Sequence, residues 1–256
     1  MADVIAKKDI LLAFPYHNFD HIIDLLREAA IDPDVTSIQI TAYRLATNSK
    51  IGNALVNAHR NGKAVTVMLE LRARFDEQHN LYWKERFETE GITVLVGIPN
   101  KKVHAKLCII KKRVQNKTIQ YGFVSTGNIN EKTAKLYGDF CLLTSNRAVM
   151  ADINRVFKVL RKPHSNLYEE LTPGKGLLFS PTDMRDQLSA LIDKEIKEAQ
   201  EGRKAHIIIK INSLSDKLLI KKLYDAAEAG VQVQLIVRGI YCVVNQSTFV
   251  QPIEAI

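Results

Sequence analysis

The sequence predicts an α/β fold built from two tandem units, and three observations carry that prediction. Helix-period and strand-period apolar patterns alternate along nearly all of the 256 residues. A run of breakers (Pro163, Pro173, Gly174, Gly176, Pro181) interrupts the alternation between Arg161 and Pro181. The pattern beyond that run then repeats the pattern before it. The expected division is a first domain over 1–162 and a second over 163–256, opened by a linker.

Taken in order, "FDHIIDLLREAA" carries apolar residues at helical spacing, and "TSIQITAY" follows as a strand. Ser49 is placed to cap a helix over "KIGNALVNAHR", and Gly62 to end it. "KAVTVMLEL" is the next strand, "DEQHNLYWKERFETEG" a helix, and "ITVLVGI" and "KVHAKLCII" two more strands. After a charged turn come the strand "TIQYGFVST", a Gly/Asn-rich loop, the strand "GDFCLLT", and a helix from about Arg147 to Leu160. Past the breakers, helix "DMRDQLSALIDKEIKEAQEG", strand "KAHIIIKI", helix "DKLLIKKLYDAAEAG" and strand "VQVQLIVRGI" follow. Anchoring Gly62 on Gly230 aligns Leu55 with Leu223, Ala58 with Ala226 and Val65 with Val233, the mark of a duplication.

Composition bounds the function. With 36 Lys and Arg against 28 Asp and Glu, the net charge is +8, which suits a polyanionic partner. Cys108, Cys141 and Cys242 sit singly in apolar runs and read as reduced core thiols. No stretch has the length and apolarity of a membrane span, and the N-terminus lacks a signal-peptide profile, so a cytoplasmic location is expected.

The chemical signal is "KKVHAKLCII". In a strand, His104 and Lys106 would project to one face, an imidazole beside an ammonium. A neutral imidazole is a nucleophile at physiological pH, and the ammonium can hold an anionic oxygen. Alone, such a pair also fits a satisfied edge residue. The loop "STGNIN", Ser125 to Asn130, adds hydroxyls and amides suited to phosphate, although Gly and Asn also suit a plain turn.

HxK followed by this loop resembles the phospholipase D superfamily, in which half-sites from two duplicated units face each other across a phosphoryl group. That pattern expects an aspartate five residues after the lysine. Lys111 stands there, which weighs against phosphodiester hydrolysis. The longer strings "ITAYRLA", "VTVMLELRARFDEQHN", "KVHAKL", "STGNINEKTAKLYGD", "LLFSPTDMRDQL" and "LIVRGI" together resemble bacterial polyphosphate kinases, in order and over almost the whole chain.

The resemblance implies phospholipase D-like units, the second of them truncated, and reversible transfer of the ATP γ-phosphate to inorganic polyphosphate through a phosphohistidine. It puts the nucleophile at His104 and a charge-neutralising role at Lys106. It puts magnesium at Arg44 and Arg74, where guanidinium chemistry argues for phosphate contact instead and an ion pair with Asp76 or Glu77 is the plain alternative. It puts nucleotide contacts at Tyr137 and Arg238, with Asn128 and Asn130 as further phosphate donors; a core aromatic is the alternative for Tyr137. ATP, ADP and polyphosphate are the implied partners, not nucleic acid, with a homo-oligomer in the full-length enzyme and peripheral membrane association compatible with it. On this reading the 256 residues by themselves are expected to be inactive; a phospholipase D-type diesterase or an inert polyanion-binding module are the alternatives.

Overall fold

Apolar residues at alternate positions draw the strands of the first unit into a single sheet, and amphipathic helices cover both of its faces. The computed structural model describes residues 1–42, 45–46, 48–70, 77–162, 164 and 166–256. It divides into two units, Met1–Leu177 and Leu178–Ile256.

The first unit runs α1 (Ala2–Ile5), β1 (Ile10–Phe14), α2 (Asp20–Ile31), β2 (Val35–Ala42), α3 (Lys50–Arg60), β3 (Ala64–Leu69), α4 (Glu77–Thr89) and β4 (Thr93–Leu95). It continues with β5 (Lys106–Val114), β6 (Lys117–Ser125), a 3-10 turn (Thr133–Lys135), β7 (Asp139–Thr144), α5 (Arg147–Arg161) and α6 (Leu167–Leu171). Among the described residues the sheet has seven strands in the order β1-β7-β6-β5-β2-β3-β4. The β2–β3–β4 half is parallel and the rest antiparallel.

Strand alternation sends Ile38, Ile40, Val65, Val67, Cys108, Ile110 and Phe123 to one face, where they pack with α2, α3 and the buried Trp83 and Phe87 of α4. Met68, Leu107, Ile109 and Val124 face the other way, onto Ile153, Phe157 and Leu160 of α5. Ser49 caps α3 as its sequence position predicts, its hydroxyl accepting from Gly52 N at 3.2 Å.

The residues after α5 belong with this unit. The buried Asp152 carboxylate accepts from the backbone N–H groups of Lys175, Gly176 and Leu177 at 2.7 to 3.0 Å. Arg155 donates to the carbonyls of Glu170 and Pro173, both at 2.8 Å. Most of the breaker-rich run, set in the second domain by the sequence expectation of a 162/163 boundary, is therefore fastened to α5 of the first unit.

The second unit contains α7 (Met184–Gln200), β8 (His206–Ile211), α8 (Lys217–Glu228), β9 (Gln232–Val237) and β10 (Glu254–Ala255), with a parallel sheet ordered β10-β9-β8 among the described residues. Its α7–β8–α8–β9 repeats the α2–β2–α3–β3 of the first. The repeat extends to the helix stops. Gly62 and Gly230 take φ of 81° and 88°, left-handed values that favour glycine. The next residues close the same six-residue cap, Lys63 N to Ala58 O and Val231 N to Ala226 O, both at 3.0 Å.

The expected α/β class and tandem units are thus present. Two expectations change. Cys242 is exposed, whereas Cys108 and Cys141 are buried. Strand β5 begins at Lys106, so His104 lies ahead of the strand and not within it. No helix among the described residues is long and apolar enough to cross a membrane.

Candidate active site

The parallel strands β2 and β3 end where β5 begins, and the carboxyl ends of parallel strands are where open α/β sheets gather ligands. Three side chains shape the backbone there. Thr41, fully buried near the end of β2, donates its hydroxyl to Ala105 O at 2.7 Å and accepts from Leu107 N at 2.9 Å. Glu70, just after β3 and 5% exposed, accepts from Val103 N at 3.1 Å. Asn80 of α4 donates to Glu70 O at 2.9 Å. The segment holding His104 is thereby tied to its neighbours on both sides.

His104 is exposed and Lys106 is buried, with 3% exposure. They meet although His104 is outside the strand. Lys106 Nζ lies 2.9 Å from His104 Nδ1 and donates to the His104 carbonyl at 2.6 Å. With Lys106 as the ammonium donor, Nδ1 is the acceptor, and a neutral ring paired in this way carries its proton on Nε2. The ring's lone pair and the cation are engaged with each other.

Lys106 pairs across the sheet with Ser125, which puts the "STGNIN" loop beside it. Ser125 Oγ lies 3.0 Å from Gly127 O and accepts from Gly127 N at 3.2 Å. Thr126 donates to Asp139 Oδ1 at 2.8 Å and accepts from Phe140 N at 3.0 Å. A Cβ at position 127 would stand 2.4 Å from the Asp139 carboxylate, so only glycine lets the loop lie this close to β7. The Asn128 side-chain oxygen is buried and has no hydrogen-bond partner among the described residues. Asn130 Oδ1 accepts from the backbone of Lys132 and Thr133 at 3.0 and 3.2 Å, fixing the entry to the 3-10 turn, while its Nδ2 is the atom that would donate to a phosphate. Tyr137, 44% exposed, follows that turn and precedes β7.

Glu131 completes the frame. Its Oε1 accepts from Lys50 N at 2.7 Å and lies 3.3 Å from the Ser49 hydroxyl, capping α3 from across the fold. Sequence reasoning missed Thr41, Glu70 and Glu131. Only Glu70 left a trace, as a carboxylate closing the apolar run "VTVMLEL".

The thiols nearby do not compete as nucleophiles. Burial pushes the Cys108 thiol far up, helped by Cys141, and burial raises Cys141 to about 12 against a hydrogen bond with Ser125. Arg44 and Arg74 lie outside the described residues. A guanidinium has no acceptor lone pair, so these residues do not fit magnesium as direct ligands. Among the described residues no group of three or more His, Cys, Asp or Glu is placed to hold a metal ion. Arg238 belongs to the second unit, exposed just past β9, where Nε and Nη2 donate to Asn212 Oδ1 at 3.0 and 2.7 Å.

Comparison with known proteins places the chain in context. The family model described as Polyphosphate kinase C-terminal domain 1 matches residues 1–166, and Polyphosphate kinase C-terminal domain 2 matches residues 177–256. The chain is 45% identical over 237 residues to a polyphosphate kinase of Vibrio vulnificus, covering 93% of this chain and 33% of that protein. It is 41% identical over 237 residues to the polyphosphate kinase of Escherichia coli K12, covering 93% and 34%. The chain thus spans about a third of the length of the curated relatives it matches. A crystal structure of polyphosphate kinase from Porphyromonas gingivalis superposes with a TM-score of 0.82 at 38% identity, over 98% of this chain and 41% of that one. Phosphatidylserine synthase from Haemophilus influenzae shares the fold, with a TM-score of 0.61 at 12% identity over 90% and 61% of the two chains.

Proposed function

The chain belongs to the polyphosphate kinase family, and we propose that within the longer proteins of that family its first unit carries the reacting histidine of a reversible phosphoryl transfer between ATP and inorganic polyphosphate. The observation that supports this reading most is the contact of Lys106 with both Nδ1 and the carbonyl of His104. It joins a nucleophile to the cation that its anionic substrate would engage.

The γ-phosphate oxygens draw the Lys106 ammonium off the ring, and an imidazole nitrogen attacks the γ-phosphorus. A P–N bond forms, the bond to the β–γ bridging oxygen breaks, and ADP leaves with the electron pair. A terminal oxygen of polyphosphate then attacks the same phosphorus. The P–N bond breaks, the imidazole recovers its pair, and the chain is one phosphate longer. A P–N bond keeps a high transfer potential, so both directions run. Lys106 holds charge on the moving group from a buried position, where such an interaction is strong. We assign magnesium to the nucleotide phosphates as part of the substrate, with Arg44 and Arg74 gripping phosphate oxygens in a bidentate manner. Tyr137, Asn128 and Asn130 are assigned to the nucleotide and its phosphates.

The test is His104→Ala in an otherwise full-length enzyme incubated with γ-labelled ATP. Acid-labile, base-stable label on the protein and polyphosphate synthesis should both disappear. Label persisting on another histidine with synthesis intact would overturn the assignment.

A further inference from the structure

Strand β5 leads away from His104 to a second cluster of cations, which the transfer reaction does not use. Alternation sends Lys111 and Lys112 to opposite faces of the sheet. Lys112 is neutralised on its face by Asp32 at 2.6 Å and Asp34 at 3.7 Å. Lys111 faces the α5 side, where no carboxylate pairs with it among the described residues. Its charged neighbour is another cation, Arg161, at the end of α5. Burial, and after it the charge of Arg161, hold the Lys111 ammonium below lysine's ordinary value. The α5 C-terminus offers a partial negative charge of roughly half an electron, which does not balance two full cations.

The neighbours on this face supply more donors. Arg161 Nη2 donates to Thr66 Oγ1 at 3.0 Å, which leaves the hydroxyl proton of Thr66 to point elsewhere. Gln39 lies beside Thr66 and Ile109 in the strand register, one row from Lys111. It is 8% exposed.

We propose that Lys111, Arg161, Gln39 and Thr66 form a binding site for a phosphoryl oxyanion, separate from the His104 end of the same strand. Lys111, Gln39 and Thr66 project from adjacent strands β5, β2 and β3 on one face of the sheet, and Arg161 reaches them from the end of α5. A phosphoryl group has enough acceptor oxygens to meet all four, whereas a carboxylate has two. The position at which the phospholipase D pattern expects an aspartate holds, in this chain, one of the two cations. The site stands whether or not His104 proves to be the reacting residue.

Inorganic pyrophosphate titrated by calorimetry into this chain carrying His104→Ala reads the second site without the reacting histidine. Adding Lys111→Gln with Arg161→Gln should weaken binding about tenfold or more. Adding Lys197→Gln with Lys221→Gln, which removes equal charge from exposed helix positions, should leave it within about twofold. Unchanged affinity in the first variant, or an equal loss in the second, overturns the site. Arg161→Gln alone, at an exposed helix end, carries the same test should the pair of substitutions unfold the chain. Orthophosphate and long-chain polyphosphate as further titrants name the source: tighter binding of the chain identifies polyphosphate, and equal binding per phosphate identifies the free anion.

Discussion

Lys106 offers a way to separate the proposed phosphoryl transfer from stability. It is almost fully buried, and its ammonium is held against Nδ1 and the carbonyl of His104. Removing the buried ammonium also removes its desolvation cost, and the ring of the exposed His104 can be hydrated in its place. Lys106→Met in the full-length enzyme should therefore melt within a few degrees of the wild type, while phosphoryl transfer falls by about 100-fold or more, the size of effect seen when one donor to a developing charge is removed. Single-turnover labelling from γ-labelled ATP beside a thermal melt checks both. Loss of fold and activity together would make the lysine structural. Sequence reasoning reached this pair through the pleat of a strand, and the pairing arises otherwise: Thr41 and Glu70 hold the backbone ahead of β5 so that an exposed histidine and a buried lysine meet. Asn130 was legible as part of the loop but not as its brace, because a cap of that kind depends on how the chain turns after it.

Between elements, the critical contacts are backbone approaches that a sequence pattern does not display. Gly122 of β6 is one of them, since a Cβ there would fall 1.9 Å from the Cys108 carbonyl of β5. Gly122→Ala must part the two strands, and a cost of roughly 3 kcal/mol or more is expected. Urea denaturation measures it, and a change below about 0.5 kcal/mol would show that the strands accommodate the methyl group. A second link joins the start of β2 to β5. Burial works to raise the Asp32 carboxyl, but the Lys112 hydrogen bond, the Asp34 N–H and the charges of Lys112 and Lys63 hold it below the usual carboxylate range. The folded value is depressed, so this pair stabilises the fold above the unfolded value of about 3.9 and the benefit is lost as pH falls through the folded one. Lys112 is raised, chiefly by the same hydrogen bond, so its share is present below about pH 10 and lost as pH rises through its folded value. Asp32→Asn should lower the melting temperature at neutral pH, and the difference from the wild type should close below about pH 4. A difference that is the same at both pH values would trace the effect to packing.

At the scale of the whole chain, periodicity made the helices and the inner strands legible, since an amphipathic pattern records which face a core covers. The duplication was legible for the same reason, and the matching caps at Gly62 and Gly230 give it a physical basis. Strand order was not legible: β1, first in sequence, pairs with β7, and nothing local in "ILLAF" encodes that partner. Net charge acts at this scale as well. The excess of +8 is spread over the molecule, and many cations are already paired to carboxylates on the surface. A bound polyphosphate chain would engage the cations that remain and release its condensed counterions, so affinity should fall linearly on logarithmic axes as salt rises. For the 256-residue chain, a loss of tenfold or more between about 50 and about 200 mM salt is expected, the behaviour of several simultaneous phosphate contacts. Removing Lys111 and Arg161 together should make that slope shallower by about one to two units, whereas His104→Ala should leave it unchanged. Fluorescence titration with a labelled polyphosphate at four salt concentrations measures the slopes. A flat dependence would mean that the chain is held by a few buried contacts and not by the field of the molecule, and net charge would then say nothing about its partner.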